Sequence, residues 1–308
     1  MKYFNISIDC DEISRYSNGY FNSNNENITF EKALPRSIDL FEKYKIQATF
    51  FITGEEASRK PGNKLLIRRL YDAGHEIANH TYHHYYNFSR LPFKKKEEEI
   101  LSCQKLLEDI TGDSVLGYRA PCYDVDEDTL TILHNNGYLY DSSIYPVYFK
   151  FLQQIGYYMW NVFHGQAAGK WRKIGKFKHC FFPPEPQSIK VGNNGNKLFE
   201  IPIPTAGPLR FPFYSTLIFQ FGLKYFSKFY PRVKNYNFFT FELHSIDFID
   251  YIEDSISEHY GDLKFNPCMK ISNEEKLLIF YRIFDQFMED YKPITLRKFT
   301  EHMLNCKN

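Results

Sequence analysis

Residues 46–84 read "IQATFFITGEEASRKPGNKLLIRRLYDAGHEIANHTYHH" and hold the pattern that decides the fold. "IQATFFITG" is an apolar run of strand length. "NKLLIRRLYDAG" carries apolar residues at helical spacing and ends on Gly74, the residue type that most readily closes a helix in the left-handed conformation. "HEIANH" is strand-like again. The same alternation continues outward on both sides. Upstream, "YFNISID" is a buried strand, and "PRSIDLFEKYK" is a helix whose Leu40, Phe41 and Tyr44 share a face with Ile38 at its edge. Downstream come the helix "FKKKEEEILSCQKLLEDITG", the strand "VLGYRAP", the helix "DEDTLTILHNNG" and the strand "YLYDSSIYP". Later stretches repeat it: strands "KLFEIPI" and "FFTFELHSIDF", the long helical pattern "NEEKLLIFYRIFDQFMEDY", and a last strand and helix in "KPITLRKFTEHMLN". Such alternation of strand and helix predicts an α/β fold built on a parallel sheet or barrel.

Parallel α/β folds gather functional groups at the carboxyl ends of their strands. The polar clusters of this chain fall at those ends: Asp9 and Asp11, His80 and His84, Arg119, Asp141 and His244. Four of the ten histidines, His75, His80, His83 and His84, crowd into ten residues. The HExxH spacing of zinc proteases fails here, because His80 stands one residue too far from His75 and Glu76. His80 and His84, four apart, can converge on one ion if a third ligand comes from elsewhere. His75 and His83 are expected to be packing or loop residues.

At 308 residues and 36.7 kDa the chain suits a single α/β barrel. Its start, "MKYFNISIDCDE", has no apolar stretch of signal-peptide length, and no run reaches the roughly 18 apolar residues of a spanning helix. Six scattered cysteines without a CxxC pair argue against a disulfide framework or a cysteine zinc site. A reduced, cytoplasmic protein is the expectation. The net charge of +1 hides an asymmetry, since between Asp141 and Glu242 thirteen Lys or Arg face only two acids, Glu185 and Glu200, a local balance of +11. Twelve aromatic residues lie in Tyr145–Phe182 and twelve more in Phe211–Phe239.

Taken in order, "SIDCDE", "ATFFITG", "GHEIANHTYHH", "GYRAPCY", "GYLYDSSIYP" and "ELHSIDF" resemble the motifs of the polysaccharide deacetylases, carbohydrate esterase family 4 or the NodB-homology group, over residues 3–145 and 198–300. The resemblance implies a distorted (β/α)7-type barrel, TIM-like, in which a divalent metal hydrolyses the N-acetyl group of an amino sugar. It makes His80 and His84 metal ligands, with Thr81 matching the Ser or Thr that follows the first histidine. Many members carry two adjacent aspartates, whereas this chain has Asp9, Cys10 and Asp11. Strand alternation puts Asp9 and Asp11 on one side with Cys10 pointing away, which favours Asp11 as the third ligand and Asp9 as the base; Cys10 as a thiolate ligand is the alternative. Two imidazoles and a carboxylate suit zinc or a similar divalent ion and leave positions open. Arg119 matches the arginine that holds the base, and His244 matches the late histidine that serves as general acid. The turn after Pro121, at Cys122 or Tyr123, would supply a backbone N–H to the oxyanion. Asp141 would orient His244 or bind substrate hydroxyls, or simply form a turn.

The whole chain reads as one catalytic domain, 1–308. Residues 146–197 exceed the family core and form an aromatic, basic insertion on the rim, with "GKWRKIGKFKH" as its centre. Trp and Phe beside Lys and Arg fit either an aromatic mini-core or peripheral contact with an anionic membrane, and "FPFYSTLIFQFGLKYFSKFY" has the same character. No nucleic-acid partner is expected. The substrate expected is an amino-sugar-containing cell-surface glycan or its lipid-linked precursor. Removal of a formyl group from a lipid-linked amino sugar is the near alternative, and a non-catalytic sugar-binding barrel the distant one.

Overall fold

The computed structural model describes residues 1–17, 27–149, 155, 159, 175–192 and 195–306. Its strands are β1 (Tyr3–Asp9), β2 (Thr49–Ile52), β3 (Glu76–Asn79), β4 (Gly117–Tyr118), β5 (Tyr140–Asp141), β6 (Gln187–Val191), β7 (Asn196–Glu200), β8 (Thr205–Ala206), β9 (Phe211–Pro212), β10 (Phe238–His244) and β11 (Lys292–Pro293). Seven of them run parallel in the order β10, β1, β2, β3, β4, β5, β7. β6 adds an antiparallel edge to β7, and β11 pairs with the start of β1. This is the α/β fold with a parallel sheet that the alternation predicted, with the seven strands that the resemblance implied. Among the described residues neither β7 nor its edge strand β6 shares a ladder with β10, so the barrel is open at one seam. Phe299, on the helix Leu296–Asn305, fills that seam: its ring stacks on Phe238 of β10 at 3.6 Å and meets Phe199 of β7 at 6.4 Å.

Period-two alternation sorts the two faces of β1. Phe4, Ile6 and Ile8 belong to the large apolar cluster that also holds Phe239, Phe241 and Leu243 of β10 and the inner face of the helix Asn273–Asp290. Phe287 of that helix meets Phe4, Phe239 and Phe241 at 5.3, 5.0 and 5.2 Å, and burying such a ring contributes about 2–3 kcal/mol. The alternate residues are polar and fully buried, so each needs a partner. Asn5 donates to Thr49, Thr240 donates to Asn5 and Ser7, and Thr49 and Tyr140 donate to Glu76. These buried polar side chains lead along β1 from Asn5 to Asp9 at its carboxyl end.

The elements differ from the sequence reading in three places. β4 and β5 are two residues each, because "VLGYRAP" and "YLYDSSIYP" leave the ladder as soon as they turn onto the rim. β6, too polar to read as a strand, lies inside residues 146–197 together with a turn at Phe177–Phe181. The aromatic stretch after β9 forms two helices, Ser215–Phe221 and Leu223–Val233. Lys170, Trp171, Arg172 and Lys173, at the centre of the expected insertion, lie outside the described residues, as does Trp160.

Candidate active site

The loop after β3 sets the two histidines. His80 continues the strand, its N–H bonded to the carbonyl of Ile52. Thr81 and His84 then take left-handed backbone angles, φ +65° and +52°, a conformation that costs side-chain-bearing residues free energy and persists only where neighbours enforce it. Asn79 does the enforcing: its Oδ1 accepts from the Thr81 N–H at 2.7 Å, while its amide donates to the Ile100 carbonyl and the Tyr138 hydroxyl. Thr81 Oγ1 in turn accepts from the His84 N–H. The result turns both imidazoles inward, with ring centres 4.9 Å apart.

Asp11 meets them from the end of β1. Its Oδ1 lies 3.7 Å from His80 Nε2 and 3.4 Å from His84 Nε2. A single ion about 2.1 Å from each of three tetrahedral ligands would hold them about 3.4 Å apart, so the spacing fits. Asp11 Oδ1 and His80 Nε2 are buried and make no hydrogen bond among the described residues, which is costly unless a cation takes them up. The other nitrogen of His80 lies 2.8 Å from the Arg119 carbonyl, an arrangement that leaves Nε2 as the lone-pair donor. The residues present therefore fit a divalent metal. Cys10 takes no part: buried on the opposite side, its thiol bonds the Ile8 carbonyl, and burial drives its pKa well up.

Asp9 stands beside this trio, 3.8 Å from His80 Nε2. Arg119, fully buried just after β4, donates from Nη1 to Asp9 at 2.6 Å and to Glu242 at 3.1 Å. Its other donors reach Ser7 Oγ, Ser142 Oγ and the Ser142 carbonyl. Burial alone would raise the Asp9 pKa, but Arg119, then His80 and His244, outweigh it and hold the carboxyl below its usual value. For Asp11 burial wins and the pKa rises. Opposite Asp9 in the β1–β10 register is His244. Burial opposes its charge, yet the carboxylates of Glu242, Asp247, Asp9 and Asp11 lift its pKa above the ordinary value. Its ring sits between Tyr16 at 6.2 Å and Tyr214 at 6.4 Å.

Glu242 is the residue the sequence reading passed over. It has no exposed surface, and its carboxylate and those of Asp9 and the His244 ring fall within 4.8 Å of one another. Burial raises its pKa to about 7 against the opposing pull of Arg119. Its Oε2 accepts from the Tyr123 hydroxyl at 2.8 Å. The signal was available, because Glu242 precedes His244 by two and so shares its face of β10.

Other expected residues occupy different settings. Cys122 and Tyr123 both have positive φ, 51° and 58°, in a tight turn. The Tyr123 N–H closes that turn on the Ala120 carbonyl, and its ring stacks on Tyr145. Asp141 accepts a short hydrogen bond from Ser143 Oγ and faces Glu200 across the β5–β7 register. Burial raises the Asp141 pKa to about 6 and, with Asp141 alongside, pushes Glu200 well up. Among the described residues the carboxylates grouped with His244 are thus Asp9 and Glu242, not Asp141. His75 accepts from the Ala48 N–H and packs on Phe50, and burial lowers its pKa to about 4. His83 turns away to Glu99 at 2.7 Å.

Known proteins share this arrangement of sequence. Residues 20–140 match the family model for polysaccharide deacetylase. A peptidoglycan deacetylase of Helicobacter pylori is 32% identical over 114 residues, 37% of this chain and 38% of that protein. A chitooligosaccharide deacetylase of Sinorhizobium fredii is 33% identical over 104 residues, 33% of this chain and 46% of that protein. The match spans less than half the length of either curated relative. A crystal structure from Mycobacterium smegmatis that carries the polysaccharide deacetylase name superposes with a TM-score of 0.63 over 99% of this chain and 91% of that one; at 16% identity it shows a shared fold. Residues 20–140 thus resemble the polysaccharide deacetylases in sequence, and the chain shares its fold with a structure of that name.

Proposed function

We propose that this protein hydrolyses the N-acetyl group of an amino sugar, using Asp11, His80 and His84 to hold a divalent ion, zinc being the ion such a donor set suits best. Bound there, the ion would polarise the amide carbonyl and ease deprotonation of the attacking water. The observation that carries the reading is the convergence, beside that trio, of a carboxylate locked to arginine and a histidine on the adjoining strand. Asp9, with Oδ1 committed to Arg119, keeps Oδ2 to take the proton of the attacking water. His244 gives a proton to the departing amine, and the turn at Cys122 would offer a backbone N–H to the oxyanion. Tyr16 and Tyr214 shield the histidine from water and give the sugar ring apolar faces to rest on.

The names of the relatives, peptidoglycan deacetylase and chitooligosaccharide deacetylase, support an N-acetylated amino sugar in a cell-surface glycan as the substrate class. Within that class we favour a lipid-linked precursor met at the cytoplasmic side of the membrane, with a formyl group as the alternative acyl group. The test is amine release, with zinc supplied, from N-acetylated chitooligosaccharides, peptidoglycan fragments and polyprenyl-phosphate-linked amino sugars, acetylated and formylated. Amine release from acetylated substrates and its loss in Asp9→Asn is the expected result. Zinc-loaded protein that binds these sugars and releases no amine from any of them would show a sugar-binding barrel instead.

A further inference from the structure

The aromatic, basic region beside the site has a use that amide hydrolysis does not require. Arg210, at φ +53° in the turn between β8 and β9, donates to the carbonyls of Cys180 and Phe182 and lays its guanidinium over the Tyr148 ring at 4.7 Å. That side chain welds the Phe177–Phe181 turn to the hairpin tip. Around it stand Phe177 and Phe181, each 66% exposed, Tyr148 at 37% and Leu209 at 53%. The strip continues through Phe211, whose ring meets Phe229 at 4.8 Å, and through Tyr225 to Phe221, 56% exposed. Soluble proteins rarely leave so many large apolar rings together without a partner.

Charge identifies the partner. On the helix Leu223–Val233, Lys224, Lys228 and Arg232 recur every fourth residue and form one stripe. Lys228 and Arg232 border the aromatic strip at 5.5 and 5.8 Å from the Phe229 ring. No acidic residue occurs between Glu200 and Glu242, so nothing in that part of the sequence neutralises the stripe. Exposed aromatic rings flanked by unneutralised cations match the headgroup region of an anionic bilayer, where rings enter the interface and cations meet phosphates. The strip also leads to the catalytic rim. Phe211 lies three residues before Tyr214, which flanks His244, and Tyr148 three residues after Tyr145, which meets Tyr214 at 6.3 Å. We propose that this face docks on an anionic lipid surface and thereby presents the candidate active site to a sugar carried at that surface. Among the described residues no helix is long and apolar enough to cross a membrane.

Co-sedimentation with vesicles tests this without calling on enzymatic activity. The full-length protein is mixed with vesicles of phosphatidylcholine alone and of phosphatidylcholine with phosphatidylglycerol, at low and high salt. Expected is binding to the anionic vesicles only, weakened by salt. Lys224→Gln with Lys228→Gln should lower low-salt partitioning by about 25-fold, about fivefold per cation. Phe177→Ser, Phe181→Ser and Phe221→Ser together should lower it by about tenfold or more at every salt concentration. All five positions are on the surface, so circular dichroism and zinc content should match wild type. Wild-type protein that ignores anionic vesicles, binds them no less well after both sets of substitutions, or covers the strip by forming dimers in solution would overturn the proposal. Vesicle binding by a protein that releases no amine would sink the hydrolase reading and leave this one standing.

Discussion

Replacing Arg119 with lysine keeps the positive charge and removes the geometry. The guanidinium serves Asp9, Glu242, Ser7 Oγ, Ser142 Oγ and the Ser142 carbonyl from a position with no solvent exposure, and it lies 4.1 Å from the Phe51 ring centre. An ammonium is a point donor and can at best retain the two carboxylates. Three hydrogen bonds are then lost, at about 1 kcal/mol each, and buried acceptors are left without water to replace them. Arg119→Lys should therefore lower the free energy of unfolding by about 3 kcal/mol, read from the urea midpoint with the slope unchanged. Turnover should fall by about 100-fold because Asp9 no longer has a fixed orientation. Zinc content should hold, since His80 leans on the backbone carbonyl of Arg119, which the substitution keeps. An unfolding midpoint equal to wild type together with turnover within about twofold would refute the reasoning, because the fork would then be dispensable.

His80→Ala and His84→Ala should each abolish stoichiometric zinc binding, measured by metal analysis of the purified variant, whereas Cys10→Ser should retain it. Asp9→Asn and His244→Ala should each slow turnover by about 100- to 10,000-fold with zinc still bound, as expected for groups that move protons. Glu242 is a carboxyl whose folded pKa, about 7, lies above the ordinary 4.5. Folding therefore takes up a proton between those values, and this contribution to stability, complete below about pH 4.5, is lost as pH rises to about 7 and stays lost above it. Glu242→Gln removes that dependence, so the wild type should lose about 3 kcal/mol relative to the variant between pH 4.5 and 7.5 in urea titrations. A constant difference across that range would mean that Glu242 is ionised throughout.

The ends of the strands were legible because two simple rules act there. Alternation along β1 predicted that Asp9 and Asp11 share a side while Cys10 does not, and the structure brings Asp11, not Cys10, to the two histidines. The same rule applied to "FFTFELH" puts Thr240 and Glu242 beside His244, and Glu242 was overlooked because, within "ELHSIDF", only the histidine was given a role. The helices Ser215–Phe221 and Leu223–Val233 were hidden for a different reason. The second helix keeps a clear period, with Phe226, Phe229, Tyr230 and Val233 on its buried face, but Pro231 inside it reads as a breaker, and the first helix is only seven residues long. Asp141 could not be placed by sequence at all, since its neighbour Glu200 comes from a strand 59 residues later, joined only through the β5–β7 register.

The β1–β10 ladder has a temporal consequence. Asp11, His80 and His84, the proposed metal ligands, all precede residue 85, so they can come together before the later strands are made. Asp9 meets His244 only after β10 has zipped against β1 from Tyr3↔Phe238 to Asp9↔His244, a contact that closes a very long loop and is slow for that reason. During synthesis at the ribosome, the proposed ion site would thus form well before the proposed proton donor arrives. A nascent chain halted after β5 would hold the three proposed ligands without the proposed proton donor, its first strand still offering an unpaired edge to any neighbour.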